Sequence, residues 1–177
     1  MPVKSLREEG FEPTILWDNP NIQSVAEHDV RLATLLSWAD DAGVSVIRCE
    51  AGSGSAVTST PTLAEQRAAW ERACAPHGFD RLARCRACYA IRLSAACKAA
   101  SELGFTHIST TLAVSPYQLF DDCSAILERT ARASGLEPVI RDWRPLYPQA
   151  TVESRERGMY RQNYCGCRFS AAEAAIK

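Results

Sequence analysis

Two closely spaced cysteine pairs are the residues of this sequence best suited to chemistry. Cys85 and Cys88 are separated by two residues, and Cys165 and Cys167 by one. The other four of the eight cysteines are scattered along the chain, at Cys49, Cys74, Cys97 and Cys123. In a reducing compartment, paired cysteines hold a metal or carry electrons more often than they form structural disulfides. The two pairs are therefore the first candidates for a functional site.

The first pair lies in the segment Arg84–Cys88, which we predict to open a long helix. Cysteines at positions i and i+3 share one helix face, so both sulfurs can reach a single metal centre. The neighbouring arginines and the helix N-terminus are expected to lower the thiol pKa, which favours ligation. A zinc half-site, an iron–sulfur half-site and two packed thiols all fit this spacing. A thioredoxin-like pair fits less well, because that motif normally follows a strand.

The second pair closes the segment Arg161–Cys167. With one residue between the cysteines, oxidation would form a small, strained ring that is easily reduced, which suits transient electron storage. Gly166 would supply the backbone freedom for such a ring. Two unpaired thiols in a loop, or metal ligation, are the alternatives.

The remaining candidates are weaker. Cys49 and Cys97 are interpreted as small hydrophobic residues, whereas Cys74 and Cys123 are not assigned. The three histidines show no metal-binding spacing and are interpreted as structural or surface residues; they are His28, His77 and His107. The hydroxyl-rich segment 110–116 joins a predicted strand to a helix and could hold an anion such as an RNA phosphate. Helix capping explains the same hydroxyls.

The elements that must position these residues alternate between strand and helix. Strands are predicted at 14–17, 44–47, 106–109 and 139–140, and helices at 3–9, 25–42, 62–73, 85–103, 116–134 and from about 169. Thr62 and Glu65 form a capping-box pattern, and a flexible loop is predicted from Ala51. The pattern predicts a single α/β domain over residues 1–177, with a Rossmann-like parallel sheet covered by helices on both faces. Such folds usually begin with a strand, so we expect a first strand upstream of the opening helix.

Composition and charge narrow the class of protein. No apolar stretch approaches the length of a membrane span, and the first ten residues do not form a signal peptide, so we expect a cytoplasmic protein. The net charge is −1, but residues 1–80 carry −6 and residues 81–177 carry +5. The basic half contains both cysteine pairs, which suits a polyanionic partner, although chance distribution over exposed helix faces explains it equally well.

Five ordered motifs resemble the cobalamin-independent epoxyqueuosine reductases of the QueH family over residues 10–170. They are Asp18–Gln23, Glu27 with Arg31, Arg84–Cys88, Ser109–Pro116 and Tyr160–Cys167. The resemblance implies reduction of epoxyqueuosine to queuosine in tRNA. It also implies a 4Fe–4S cluster held by Cys85, Cys88 and an adjacent cysteine pair, and a redox-active disulfide between Cys165 and Cys167. The adjacent pair is expected just upstream of residue 2, so we expect either a misassigned start at Met1 or an inactive member.

The resemblance suggests a separate redox role for each cysteine pair. A 4Fe–4S cluster usually passes one electron at a time, whereas a dithiol stores the two electrons that removal of an epoxide oxygen requires. The substrate would be a wobble base in a single-stranded anticodon loop, and the reductant an unidentified electron donor. Candidate phosphate contacts are Arg84, Arg86, Arg155, Arg157 and Arg161.

Two alternatives belong to other classes. One is a zinc-bound, non-catalytic RNA-binding module in which all four paired cysteines ligate the metal. The other is an α/β relic of the family that has lost its cluster.

Overall fold

A computed structural model describes residues 1–50 and 61–176 of the protein. The loop predicted from Ala51 lies outside these residues. The helices are α1 (Pro2–Glu8), α2 (Val25–Asp41), α3 (Leu63–Cys74), α4 (Arg81–Glu102), α5 (Phe120–Ala133), α6 (Tyr147–Glu156) and α7 (Arg168–Ala175). The strands are β1 (Ile15–Trp17), β2 (Val46–Arg48), β3 (His107–Ile108) and β4 (Glu137–Pro138). This arrangement confirms the α/β class.

The strands form two parallel pairs within the described residues. Strand β1 pairs with β2, with Ile15 opposite Val46, and β3 pairs with β4, with His107 opposite Glu137. Each pair is joined through a helix, as parallel strands require. The strands have only two or three residues each. The described residues thus form two small parallel sheets, whereas the sequence pattern predicted one larger sheet.

Two helix starts differ from the prediction by four residues, since α5 begins at Phe120 and not at residue 116, and α4 begins early. This helix begins at Arg81, four residues before the predicted start, because the Asp80 side chain caps it by accepting a hydrogen bond from the Ala83 amide at 3.1 Å. The first cysteine pair therefore lies within the helix and not at its open end. The capping box of Thr62 and Glu65 on α3 is confirmed.

Helix α6 was not predicted. It buries no residue completely, so its sequence has little helical periodicity. Pro148 stands in its first turn, where proline is tolerated but where a sequence pattern suggests a break.

The core contains the two cysteines interpreted as small hydrophobic residues. Cys97 of α4 packs with Leu93 against Leu127 of α5, in a cluster that also buries Cys123. Burial raises the pKa of the Cys97 and Cys123 thiols to about 11. Cys49 is buried against Ala99, and its thiol pKa is raised to about 12, first by burial. These thiols are poor nucleophiles and ligands, so the prediction for Cys49 and Cys97 is confirmed.

A second buried cluster joins the two halves of the chain. Trp70 and Cys74 of α3 pack with Cys167 and Phe169, and Cys88 and Cys165 lie against them. The two cysteine pairs, which are about 80 residues apart in sequence, therefore meet in one region. Among the described helices, none has the length and apolar composition needed to cross a membrane.

Candidate active site

The first cysteine pair lies on α4, where both thiols are partly buried. The Trp70 indole N–H donates to the Cys88 sulfur at 3.2 Å. The pKa of Cys88 is lowered to about 7, first because the Cys74 thiol donates a hydrogen bond to it, with Arg92 and Trp70 adding to the effect against burial. At neutral pH, Cys88 is therefore present in both the thiol and the thiolate form.

Cys85 does not follow the sequence prediction. Burial is the largest influence and raises its pKa, and the neighbouring Cys88 thiolate adds to this, while the arginines beside it only partly offset the two. The expectation that arginines and a helix N-terminus would lower the pKa of both thiols is therefore wrong for Cys85. Burial is the main cause, and the earlier helix start also moves Cys85 away from the free amides of the first turn.

Cys74 is a member of the site that the sequence did not assign. It ends α3, is fully buried and contacts the sulfur of Cys88, and this hydrogen bond is the main reason that its own pKa is raised. Trp70 and Cys74 are four residues apart and share a helix face. That spacing could have revealed a common buried face, but not the thiol on the neighbouring helix.

Arg84 also has a different role from the one predicted. Its guanidinium is 2% exposed, donates to Glu173 of α7 at 2.8 Å and to the Gly78 carbonyl at 2.6 Å, and lies over the Phe169 ring. A side chain held in this way cannot reach a phosphate on the surface, so the prediction of a phosphate contact at Arg84 is wrong. Its position beside Cys167 instead helps to stabilise that thiolate.

The second cysteine pair consists of two thiols in contact. The Sγ atoms of Cys165 and Cys167 are 3.5 Å apart, and all eight cysteines of the chain are free. Cys167 also caps α7, because its sulfur accepts a hydrogen bond from the Ser170 amide at 3.3 Å. The Cys165 thiol, the Ser170 groups and Arg84 lower the pKa of Cys167 to about 5, whereas the same thiol–thiolate hydrogen bond raises that of Cys165. The pair is therefore arranged as one thiolate and one thiol.

Residues of the Asp18–Gln23 motif hold the backbone of this loop. The Asn21 side-chain amide donates to the Cys165 carbonyl at 3.0 Å, and the Gln23 backbone amide donates to the Gly166 carbonyl at 3.3 Å. Gly166 has a φ of +113°, and a Cβ atom there would lie 2.8 Å from the Ile22 side chain. The positive φ already requires a glycine while both thiols are free, and close packing adds a second need.

Arg31 of α2 is the other holder of the loop. Its guanidinium is 9% exposed and donates to the carbonyls of Tyr164 and Cys165, both at 3.1 Å. Glu27, one helical turn earlier, accepts from Arg31 at 2.7 Å, and the Tyr160 hydroxyl donates to the same carboxylate at 2.7 Å. The Glu27 and Arg31 motif of α2 thus lies directly against the Tyr160–Cys167 motif.

The remaining predictions concern histidines and hydroxyls. His28 is buried and accepts a hydrogen bond from the Trp17 indole at 3.1 Å, and the exposed His107 packs edge-on against Phe11, so both fit the structural or surface interpretation. The Thr110 hydroxyl accepts from the Leu112 amide, and the Ser115 hydroxyl from the Tyr117 amide. These contacts favour capping over anion binding.

The sulfur atoms alone do not form a closed metal site. Within residues 1–50 and 61–176, no three His, Cys, Asp or Glu side chains are grouped so as to hold one metal ion. This arrangement does not support the four-thiolate zinc module. Cys85 and Cys88 share a helix face, and Cys88 has the lowered pKa of a ligand, so their donor chemistry fits two positions of a larger iron–sulfur cluster.

Comparison with known proteins identifies the family. The family model of epoxyqueuosine reductase QueH matches residues 1–173. The epoxyqueuosine reductase QueH of Dehalococcoides mccartyi is 27% identical over 175 residues, which cover 96% of this chain and 85% of that protein. That of Acinetobacter baylyi is 26% identical over 178 residues, covering 95% and 73%. That of Thermotoga maritima is 32% identical over 96 residues, covering 53% and 50%. The chain belongs to the epoxyqueuosine reductase QueH family.

Proposed function

We propose that this chain reduces epoxyqueuosine to queuosine at the wobble position of tRNA, the last step of that modification, as a single domain over residues 1–177. The relatives carry the name of this reaction. The observation that carries the proposal is the thiolate–thiol pair of Cys165 and Cys167, held 3.5 Å apart and packed in the same cluster as Cys88 of the C-x-x-C pair.

The stoichiometry of the reaction suits a dithiol. Converting the epoxide to an alkene and water takes two electrons and two protons. Oxidation of Cys165 and Cys167 to a disulfide releases both electrons, and the Cys165 thiol releases one proton. Because Cys167 is already a thiolate at neutral pH, the second proton comes from solvent. An electron donor, not yet identified, must then reduce the disulfide.

Cys85 and Cys88 would hold the cofactor. They provide two of the three or four thiolates that a 4Fe–4S cluster normally needs. When bound there, such a cluster would supply single-electron transfer close to the second pair. Trp70 contributes by donating to the Cys88 sulfur, because hydrogen bonds to ligating sulfurs tune cluster potentials.

The RNA substrate would bind through exposed cations. Arg86, Arg155, Arg157 and Arg161 remain candidate phosphate contacts, all on the exposed surface. Arg86 is shared with Asp122, to which it donates at 2.8 Å, and is therefore the weakest of the four. A tRNA substrate and reduced thiols both fit a cytoplasmic protein.

The test combines cofactor analysis with turnover. Protein purified and reconstituted without oxygen should bind several irons and sulfides per chain and convert epoxyqueuosine in tRNA to queuosine. Cys165→Ser and Cys167→Ser should keep the iron and lose turnover, since the two-electron store is gone. Loss of iron in these variants would make the second pair ligands. Colourless protein containing zinc would support the RNA-binding module, and protein with neither metal nor turnover would support the relic.

A further inference from the structure

A network of hydrogen-bonded side chains holds the loop that contains the second cysteine pair. None of these side chains has been given a role in the proposed reaction. We infer that Arg31, supported by Glu27 and Tyr160, is a positioning residue that sets the dithiol–disulfide equilibrium of Cys165 and Cys167. The inference rests on the proposed role of this pair as an electron store.

The first step is the contact between Arg31 and the loop. Arg31 binds two successive carbonyls, of Tyr164 and Cys165, through its two terminal nitrogens. A planar, bidentate contact of this kind fixes orientation as well as distance. The guanidinium also lies over the Tyr164 ring, with its carbon 5.1 Å from the ring centre. The peptide preceding Cys165 is therefore held from two directions.

The second step is the support of Arg31 itself. A guanidinium that is 9% exposed needs a counter-charge, and Glu27 supplies it at 2.7 Å. The Tyr160 hydroxyl donates to both oxygens of Glu27, at 2.9 and 2.7 Å. Tyr160 is five residues before Cys165, so the network runs from the loop to α2 and back to the loop.

The third step is convergence on one atom. The Cys165 carbonyl accepts from both Arg31 and Asn21, so its two lone pairs are in use. The next residue, Gly166, has no room for a side chain against these same two groups, whose nitrogens would each lie 3.2 Å from an added Cβ. The position of Cys165 relative to Cys167 is therefore determined by several contacts at once.

Position affects the redox equilibrium because disulfide formation closes a ring. When this thiol and thiolate become a disulfide, one S–S bond forms and two electrons and one proton are released; in the experiment below, oxidised dithiothreitol accepts the electrons and is reduced to its dithiol. If the thiols are already held in contact, little chain entropy is lost on closure, whereas a loose loop must first be ordered. Releasing the loop from Arg31 should therefore disfavour the disulfide and make it easier to reduce.

The positive charge of Arg31 is not what lowers the pKa of Cys167. The cation that lowers the pKa of Cys167 is Arg84. Removing Arg31 should thus change the disulfide equilibrium while the pH dependence of Cys167 alkylation stays that of the wild-type protein. A general loss of structure would change both quantities.

The experiment is an anaerobic equilibration of the intact protein with oxidised and reduced dithiothreitol, followed by an acid quench and alkylation. Trypsin cleaves after Arg161 and Arg168 and releases residues 162–168, which contain Cys165 and Cys167 and no other cysteine. Mass spectrometry of this peptide gives the oxidised fraction directly. Arg31→Ala should lower the oxidation equilibrium constant about tenfold, equivalent to about 30 mV.

Graded variants separate position from stability. Arg31→Lys keeps the charge but loses the bidentate contact, and should give an intermediate value. Tyr160→Phe removes one hydroxyl at a residue that is 42% exposed, so it should fold normally and give a two- to threefold decrease. The matched control is Arg7→Ala, because Arg7 also pairs with a glutamate and donates to two carbonyls, of Ala42 and Gly43, in another loop. It should leave the equilibrium unchanged.

The outcomes are distinct. If the wild-type pair forms a disulfide and Arg31→Ala and Tyr160→Phe both stay within 1.5-fold of it, the inference is overturned and the proposed function is unaffected. If the wild-type pair forms no disulfide at any dithiothreitol ratio, the equilibration is repeated with oxidised and reduced glutathione, a less reducing couple, and absence of the disulfide there would make the proposed electron store itself wrong. Should Arg31→Ala fail to fold, Tyr160→Phe and Glu27→Gln carry the same test.

Discussion

The two cysteine pairs are positioned in opposite ways. Cys85 and Cys88 take their relative position from one regular helix, so the spacing of the sequence sets it locally. Cys165 and Cys167 lie in an irregular segment, held by side chains more than 130 residues earlier in the chain. A helix suits a ligand pair that keeps one geometry. A pair that makes and breaks a bond needs a loop whose conformational freedom is limited by contacts with distant segments of the chain.

The electrostatics of the two pairs divide in the opposite way. The lowered pKa of Cys88 comes first from Cys74 on a neighbouring helix and is resisted by burial. The lowered pKa of Cys167 comes first from its own partner, Cys165, and is reinforced by Ser170 in the first turn of α7 and by Arg84. The ionisation of the first pair thus depends on a neighbouring helix, whereas that of the second pair depends mainly on the contact between its own two sulfurs.

The largest expected effect is loss of the cofactor from the helical pair. Cys85→Ala or Cys88→Ala in reconstituted protein should abolish stable iron binding, because either change removes half of the assigned thiolates. Iron and sulfide analysis with the visible absorbance spectrum measures the loss. Cys97→Ala is the matched control on the same helix, since Cys97 is fully buried and is not an assigned ligand, and it should keep the full iron content. Full iron in Cys85→Ala would make the assignment of this pair wrong.

Breaking the external support of the loop should have the next largest effect. Gly166→Ala combines a strained positive φ with a Cβ contact of 2.8 Å to Ile22. It should lower the free energy of unfolding by about 3–5 kcal/mol, measured by urea denaturation.

Gly158→Ala is the control for Gly166→Ala. Gly158 also has a positive φ, of +60°, but no atom lies within 4 Å of an added Cβ. Only the backbone strain of roughly 1–2 kcal/mol should remain. Equal effects at the two glycines would contradict the close packing of the loop.

The pH dependence of alkylation should distinguish the loop thiolate from an ordinary cysteine. Because the pKa of Cys167 is lowered to about 5, its rate should stay level as the pH falls from 8 and decrease only near 5. An ordinary cysteine loses reactivity below its pKa of about 8.5. The pKa is lower in the folded state, so this ionisation stabilises the fold fully above about pH 8.5 and progressively less down to about 5. A midpoint above pH 7.5 in Cys165→Ala, which leaves no side-chain donor at this position, would identify Cys165 as the main cause, and an unchanged midpoint would contradict it.

The smallest expected effect concerns the contact between helices. Cys74→Ala removes the thiol that donates to Cys88, so the pKa of Cys88 should rise from about 7 towards the ordinary cysteine range. Trp70 and Arg92 remain, which limits the shift to less than that of Cys167. The tryptic peptide 87–92 contains Cys88 alone and reports its alkylation in metal-free protein. An unchanged midpoint would mean that Cys74 is only a packed neighbour.

The sequence by itself determined the α/β class, most helix positions and the identity of the two pairs. Periodicity and capping signals are local, so Thr62 and Glu65 could be recognised as a helix start without any knowledge of the fold. The ordered motifs also pointed to the family, which the match over residues 1–173 confirms. The spacing of Cys85 and Cys88 predicted a common helix face, and the helix is present.

Only the tertiary structure decided which residues surround each pair. Nothing local indicates that Cys74 meets Cys88, that Arg84 is buried against Glu173, or that Arg31 holds the loop of Cys165. These contacts join segments that are distant in sequence, and they form because separate apolar faces must be buried together. The pKa of each thiol then depends on its neighbours and its burial, which is why the sequence identified the reactive residues but not their ionisation states.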